Sequence, residues 1–418
     1  MKKLFLFTFF LSSALCADVL TLQESIEKVL QNYPDVKSFE LKVKQSQSSY
    51  RSAFADYLPQ VDLQAQYNFT QTYVFPVDGS FHTVDDNGWN AGVNLKQKIW
   101  DFSKTSSKVH ATKLDKDISK LSLKDLKALL VYKVKGLYEL MVVESEAIEV
   151  RKKDLEAKEA YYAQSLALVK QGLKTEADAN RFLSAVYLAK DNLAVAQTSY
   201  AKAKETLSLY MNTNIPDNVT LQKDFLKREL NEKSERVEKD VFLQNYSLQI
   251  DAKTIEKNIL LHKSAKASHY GSLDFVASYN HLDTLNEYDS TLAGVTLNIP
   301  LYSGGRVSAE AQKAEISAQI SKEQKRSREI ALKEELSNLL LDISRYSKTI
   351  AARKAQLTSA LSTKRVLDAR YEEGLATYIE VLDANALVLN ARLGLLEAYY
   401  SRALSIDRID YLKGKIDE

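Results

Sequence analysis

The chain has 418 residues, a net charge of +2, 27% charged residues and a mean hydropathy of −0.30. That balance excludes strong electrostatic attraction to nucleic acid, and a single cysteine, Cys16, excludes a disulfide framework. With only 12 Gly and 5 Pro, the chain must be built from long regular elements with few turns.

At the N-terminus, Met1-Lys2-Lys3 is followed by an apolar run from Leu4 to Leu15. The run is too short to span a bilayer and has the form of a secretory signal. Ala14-Leu15-Cys16 places small residues at −3 and −1, so residues 1–16 read as a signal peptide cleaved after Cys16. The alternative, lipidation of Cys16, is opposed by the bulk of Leu15. No later segment has the roughly 18 uninterrupted apolar residues of a membrane helix. An exported bacterial chain of this kind is destined for the periplasm, or for the outer membrane by way of β-strands.

After the signal the chain is written twice. A first half, 17–215, predicts a helix, strands at about 60–73 and 88–100, a very long helix, a hairpin at 172–175 and a further helix. A second half, 216–418, repeats the order, with strands at about 272–280 and 291–300 and a hairpin at 374–377. "VNLKQKIWDFSK" from Val93 and "VTLNIPLYSGGR" from Val295 stand 202 residues apart, as do Gly172 and Gly374, and Thr175 and Thr377. "QNYP" at 31–34 likewise matches "QNYS" at 244–247. Such self-similarity outranks any local signal.

The strands alternate strictly. Leu63, Ala65, Tyr67 and Phe69 interleave with Asp62, Gln64, Gln66 and Asn68; Leu273, Phe275, Ala277 and Tyr279 interleave with Asp274, Ser278 and Asn280. A period of two fits a half-buried strand or a barrel strand facing lipid. Aromatic residues at both ends favour lipid: Tyr67, Phe69, Tyr73 and Phe75 at one, Trp100, Phe102 and Tyr302 at the other. Residues 74–88 and 281–290 read as external loops.

From Lys104 to Gln171 there are 68 residues with one Gly and no Pro, and from Arg306 to Glu373 another 68 with neither. Each predicts a helix of about 100 Å, long enough for coiled-coil packing. Leu126, Leu129, Leu130, Val134, Leu137, Tyr138 and Met141 form its apolar stripe. The stretch 226–240, "LKRELNEKSERVEKD", reads as a solvated linker and helix start joining the halves as an equatorial belt.

Gly172 and Gly374 end the long helices where a left-handed residue is needed. Thr175 with Asp178, and Thr377 with Glu380, then predict capping boxes, approximate for Asp178. Here the sequence resembles the TolC-like outer-membrane efflux family, through the duplicated halves, "GVTLNIPLYSGGR", and "RYEEGLATYIEVLDA" at the second hairpin. The resemblance covers almost the whole mature chain. It implies a mixed, mostly α-helical fold: a trimeric twelve-stranded outer-membrane β-barrel, four strands per chain, continued by a long periplasmic α-helical barrel. It implies as partners two further copies of the chain, a periplasmic adaptor, an inner-membrane pump of RND, ABC or MFS type, and outer-membrane lipid, with no nucleic acid. It also implies adaptor docking at the tips, through Gly172, Thr175, Asp178, Gly374, Ala376 and Thr377, and channel closure by the tip helices. Four strands independently demand oligomerisation, because the smallest membrane barrels need about eight and two copies would leave no pore.

By match to the family's pattern, Tyr371, Glu380 and Asp383 are expected at the gate, with Arg370 adjoining them. Three copies of Asp383 would form an acidic ring favouring cations; the duller reading makes Glu380 and Asp383 solvated first-turn acids. Arg181 stands opposite Asp383 in the first half, and their contact would hold a closed state. Ala376 replaces a residue usually basic or polar, so one gate salt bridge is expected to be missing. No catalytic constellation stands out: His82, His110, His262, His269 and His281 lack metal-ligand spacing, and "SGG" at 303–305 is a strand-to-helix bend. No cofactor or metal is therefore expected. The expected function is the exit duct of a tripartite efflux pump for drugs and toxic compounds. A type I protein-secretion duct and a periplasmic coiled-coil scaffold are the alternatives.

Overall fold

The computed structural model describes residues 19–284 and 287–416; the expected signal peptide and Cys16 lie outside them. Among these residues no helix is long and apolar enough to cross a membrane. The chain divides into two compact units, and two helices of 67 residues, α3 (Lys104–Lys170) and α7 (Arg306–Glu372), contribute to both.

The first unit gathers residues 37–124 and 246–331. It holds most of helix α2 (Pro34–Ala55), helix α6 (Tyr246–Ala267) and a four-stranded sheet in the order β2-β3-β5-β6. All three pairings are antiparallel, joining β2 (Gln60–Val77), β3 (Ser80–Trp100), β5 (Ser272–Asp283) and β6 (Glu287–Asn298). Strands β2 and β3 run through residues 74–88, expected to be an external loop. Asp78 and Gly79, with φ of +48° and +82°, close a two-residue hairpin turn. Two consecutive left-handed residues give the twist that antiparallel strands require, and the Val, Phe and Thr residues around them favour strand. A bulge between Asn68 and Gln71 shifts the register between the long lower ladder and this upper extension.

The register sorts the side chains by face. Val61 pairs with Leu95, Leu63 with Val93, Tyr67 with Trp89, Val93 with Tyr279, and Phe275 with Val295. The alternate positions pair Asp62 with Asn94, Gln66 with Asn90, Asn94 with Ser278, and Asp274 with Thr296. The apolar face is not covered by the described residues: Leu63 is 79% exposed, Phe69 86% and Leu297 62%. A sheet of a water-soluble domain would bury that face.

Both strand-to-helix bends carry consecutive residues at positive φ. Before α7 these are Gly304 and Gly305 (+63° and +78°); before α3 they are Phe102 and Ser103 (+54° and +71°). Glycine adopts that geometry freely, whereas Phe102 does so at a cost. Asp101 supports the first bend by accepting hydrogen bonds from the Thr105 amide at 2.8 Å and its hydroxyl at 2.5 Å.

The second unit comprises residues 19–36, 125–245 and 332–416. Here lie α1 (Leu22–Asn32), α4 (Glu176–Met211), α5 (Ser234–Gln244) and α8 (Tyr378–Leu412), with a short parallel pair, β1 (Val19–Leu20) and β4 (Thr220–Leu221). The QNYP and QNYS motifs mark breaks in the short helices. The Asn32 amide donates to the carbonyl of Met211, the last residue of α4; the Asn245 amide donates to that of Leu412, the last of α8. Each satisfies a carbonyl that its helix end leaves open. Tyr138, Phe182, Met141 and Leu207 are among the largest fully buried side chains.

Candidate functional site at the helical hairpins

Each long helix ends in the same backbone motif. The Gly172 amide donates to the Val169 carbonyl and the Leu173 amide to that of Leu168, both at 3.0 Å. At the second hairpin Gly374 donates to Tyr371 at 3.0 Å and Leu375 to Arg370 at 2.7 Å. This paired arrangement requires a left-handed residue, and Gly172 and Gly374 have φ of +74° and +76°. The leucine that follows ordinarily packs back onto its helix; Leu173 and Leu375 are instead 65% and 63% exposed.

The next helix opens on a closed capping box in both halves. Thr175 Oγ1 accepts from the Asp178 amide at 3.3 Å, and Asp178 Oδ2 from the Thr175 amide at 3.1 Å. Thr377 and Glu380 repeat this at 3.3 and 2.6 Å. The Asp178 box, expected to be approximate, is therefore complete. Hydrogen bonds from the threonine backbone and hydroxyl hold both carboxyls below their ordinary pKa.

The two hairpins share one aromatic core. Phe182 of α4 is fully buried; its ring lies 5.9 Å from Tyr161 of α3, 6.0 Å from Tyr371 of α7 and 6.1 Å from Tyr378 of α8. Tyr371, Ala376 and Val381 complete the buried set. Tyr371, expected at the constriction, is 2% exposed within its own chain, and Ala376, expected at the docking surface, is 4% exposed. Both pack inward with Phe182 and Val381, while Leu375 of the same turn points outward.

Glu380, Asp383 and Arg181 are exposed. Asp383 has no ion-pair partner among the described residues, and Arg181 is not bonded to it. The Arg181 guanidinium instead lies 4.9 Å from the centre of the Tyr378 ring, a cation–π contact bridging α4 and α8. Arg370 donates to the Leu375 carbonyl at 3.2 Å, bracing the turn.

A polar triad adjoins this core. Tyr161 donates to Asp368 Oδ1 at 2.5 Å, while Lys364 Nζ donates to Tyr161 Oη and Asp368 Oδ2, each at 2.8 Å. Burial pushes the Tyr161 phenol above its ordinary pKa. Sequence reasoning missed Tyr161, Phe182, Lys364 and Asp368. The capping pattern signals the turn but not which aromatic side chains two distant helices bring together.

With this geometry in place, the comparisons with known proteins decide the family. The sequence pattern described as "Outer membrane efflux protein" matches residues 25–213 and 260–414. The chain belongs to the outer membrane efflux protein family. Outer membrane protein TolC of Vibrio cholerae is 24% identical, the match covering 98% of this chain and 93% of the relative. Among solved structures, CusC superposes with a TM-score of 0.84 at 18% identity, covering 94% of this chain and 91% of that one. VceC of Vibrio cholerae gives 0.82 at 17%, covering 95% and 97%. The TolC-like resemblance is thereby established, and the mostly helical fold is that of these channel structures. As a member of the efflux family, the protein is an outer-membrane transport duct with a periplasmic extension.

Proposed function

We propose that the protein is the exit duct of a tripartite efflux pump, carrying small toxic compounds through the outer membrane. The observation that carries this reading is the sheet, apolar on its exposed face and polar on the other. A lipid-facing wall with a wet interior has this inverted pattern. In the order β2-β3-β5-β6, β2 and β6 keep one edge each unpaired among the described residues. Edge groups left unsatisfied in lipid cost several kcal/mol each, so the sheet closes with copies of itself. Three copies give twelve strands and an open lumen, whereas two give eight and a filled one.

The hairpins form the periplasmic end in this reading. Gly172, Thr175, Asp178, Gly374 and Thr377 set the tip geometry, and the exposed Leu173 and Leu375 offer an apolar contact for an adaptor. Asp383, exposed and without an ion-pair partner among the described residues, is free to form a threefold acidic ring. Tyr371 and Ala376 act from behind, by holding the two hairpins together.

The test is loss and restoration of efflux. Deletion of the gene should raise cellular accumulation of a fluorescent efflux dye, and the wild-type gene should restore its removal. Normal dye removal with loss of a secreted polypeptide would replace this reading by a protein-secretion duct. Recovery of the chain as a soluble periplasmic protein would leave only the scaffold.

A further inference from the structure

Past the four-stranded part of the sheet, β2 and β3 continue alone as a two-stranded ribbon. Asp283, the last residue of β5, pairs with Trp89 on one side and with Glu287, the first residue of β6, on the other. Beyond that rung the seven residues Gln71–Val77 of β2 pair with Ser80–Asp86 of β3. The bulge between Asn68 and Gln71 lies at the root of this ribbon.

The bulge exchanges the faces of β2. Before it, Val61, Leu63 and Tyr67 lie on the apolar face, and Asn68 pairs with Gly88 on the polar one. From there β2 advances three residues to Gln71, while β3 advances only two, from Gly88 to Asp86. The alternation of β3 is unbroken, so Asp86, Val84 and His82 stay on the polar face with Asn90 and Asn94. Their partners Gln71, Tyr73 and Phe75 are carried to that face with them, and Val77 follows. Gly88 shows the outcome: a Cβ added there would lie 3.3 Å from Tyr73 Oη. Tyr73 and Phe75, expected in a lipid-facing girdle, therefore stand on the side of the amides. That side changes character at the bulge, from Gln64, Gln66, Asn68, Asn90 and Asn94 to Tyr73, Phe75, Val77 and Val84. Phe75, Val77 and Val84 are exposed. The opposite face of the ribbon mixes Val74, Pro76 and Phe81 with Thr72, Thr83 and Asp85.

We propose, resting on the trimeric duct of the reading above, that the ribbons of three copies turn these apolar faces toward one another and form an outer gate. Reach is what assigns the cover to other copies. Twelve strands about 4.8 Å apart and tilted by about 40° enclose a barrel of about 12 Å backbone radius. Seven residues of strand extend about 23 Å. A ribbon bent at its bulge thus spans the distance to the duct axis. Among the described residues no further strand of the chain accompanies it there. Three apolar faces meeting on the axis bury one another. A constriction lined in this way empties of water and stops the passage of ions.

The experiment records conductance of the full-length protein in planar bilayers, with native mass measured on each preparation. Tyr73→Ser combined with Phe75→Ser should raise the conducting fraction about tenfold or more, the factor that one buried aromatic side chain contributes. Phe81→Ser, on the opposite face, should leave it unchanged. Val77→Cys should form a disulfide between copies on oxidation and hold the duct shut until reductant is added. Phe81→Cys and the wild type, whose single cysteine is Cys16, should form none. Particles of three copies whose conductance is unmoved by the double serine variant overturn the gate and leave the duct reading standing. Particles of fewer than three copies overturn both. A rise in conductance without the Val77→Cys crosslink overturns the contact between copies and assigns the face to cargo. Should the double variant fail to assemble, the Val77→Cys crosslink decides alone, and its absence overturns the gate.

Discussion

Gly374→Ala isolates what a backbone conformation contributes to the tip. A Cβ added at Gly374 would meet nothing within 4 Å, so the substitution introduces no clash with neighbouring groups. The whole cost is the left-handed φ of +76°, about 1–2 kcal/mol for a non-glycine residue. A change of that size raises the open population of the turn roughly 5- to 30-fold. Its two hydrogen bonds, Gly374 to Tyr371 and Leu375 to Arg370, are the ones lost on opening. Hydrogen exchange at Leu375 should therefore accelerate by that factor, while amides in the middle of α7 keep wild-type protection. Dye efflux at equal expression should fall, because Leu375 no longer holds one position. Asn tolerates the left-handed region better than Ala, so Gly374→Asn should recover much of both signals. Unchanged exchange at Leu375 in the alanine variant would refute the claim that the glycine fixes this turn.

Other substitutions separate packing from charge at the same site. Phe182→Ala removes the ring touching Tyr161, Tyr371 and Tyr378, and should lower unfolding stability by about 3–5 kcal/mol; a loss under 1 kcal/mol would contradict a shared core. Asp383→Ala should leave stability nearly unchanged but weaken cation selectivity and block by multivalent cations in planar bilayers; an unaltered selectivity places the constriction elsewhere. Glu380 has a depressed pKa, so its contribution is present above the ordinary carboxylate range and lost as pH falls through the folded value. Exchange at the start of α8 should thus rise in acid in the wild type, and Glu380→Gln should remove that dependence, as hydrogen exchange across pH 2 to 6 will show.

Much of this was legible because the deciding signals are local. Alternation fixed the faces of β2, β3, β5 and β6, and the Gly–Thr spacing located both hairpins and their capping boxes. Over residues 74–88 the sequence shows only a loop between strands, whereas cross-strand pairing continues the ladder and leaves a turn of only Asp78 and Gly79. The burial of Tyr371 and Ala376 was hidden for a different reason. It depends on Phe182 arriving from the other half, and no local pattern records that.

The central claim is that the inverted sheet closes a membrane barrel from three chains. Native mass measurement of the assembly extracted from the outer membrane tests it most directly. The predicted result is a particle of three copies that falls apart to single chains only on heating. Particles of one or two copies under the same extraction would contradict it.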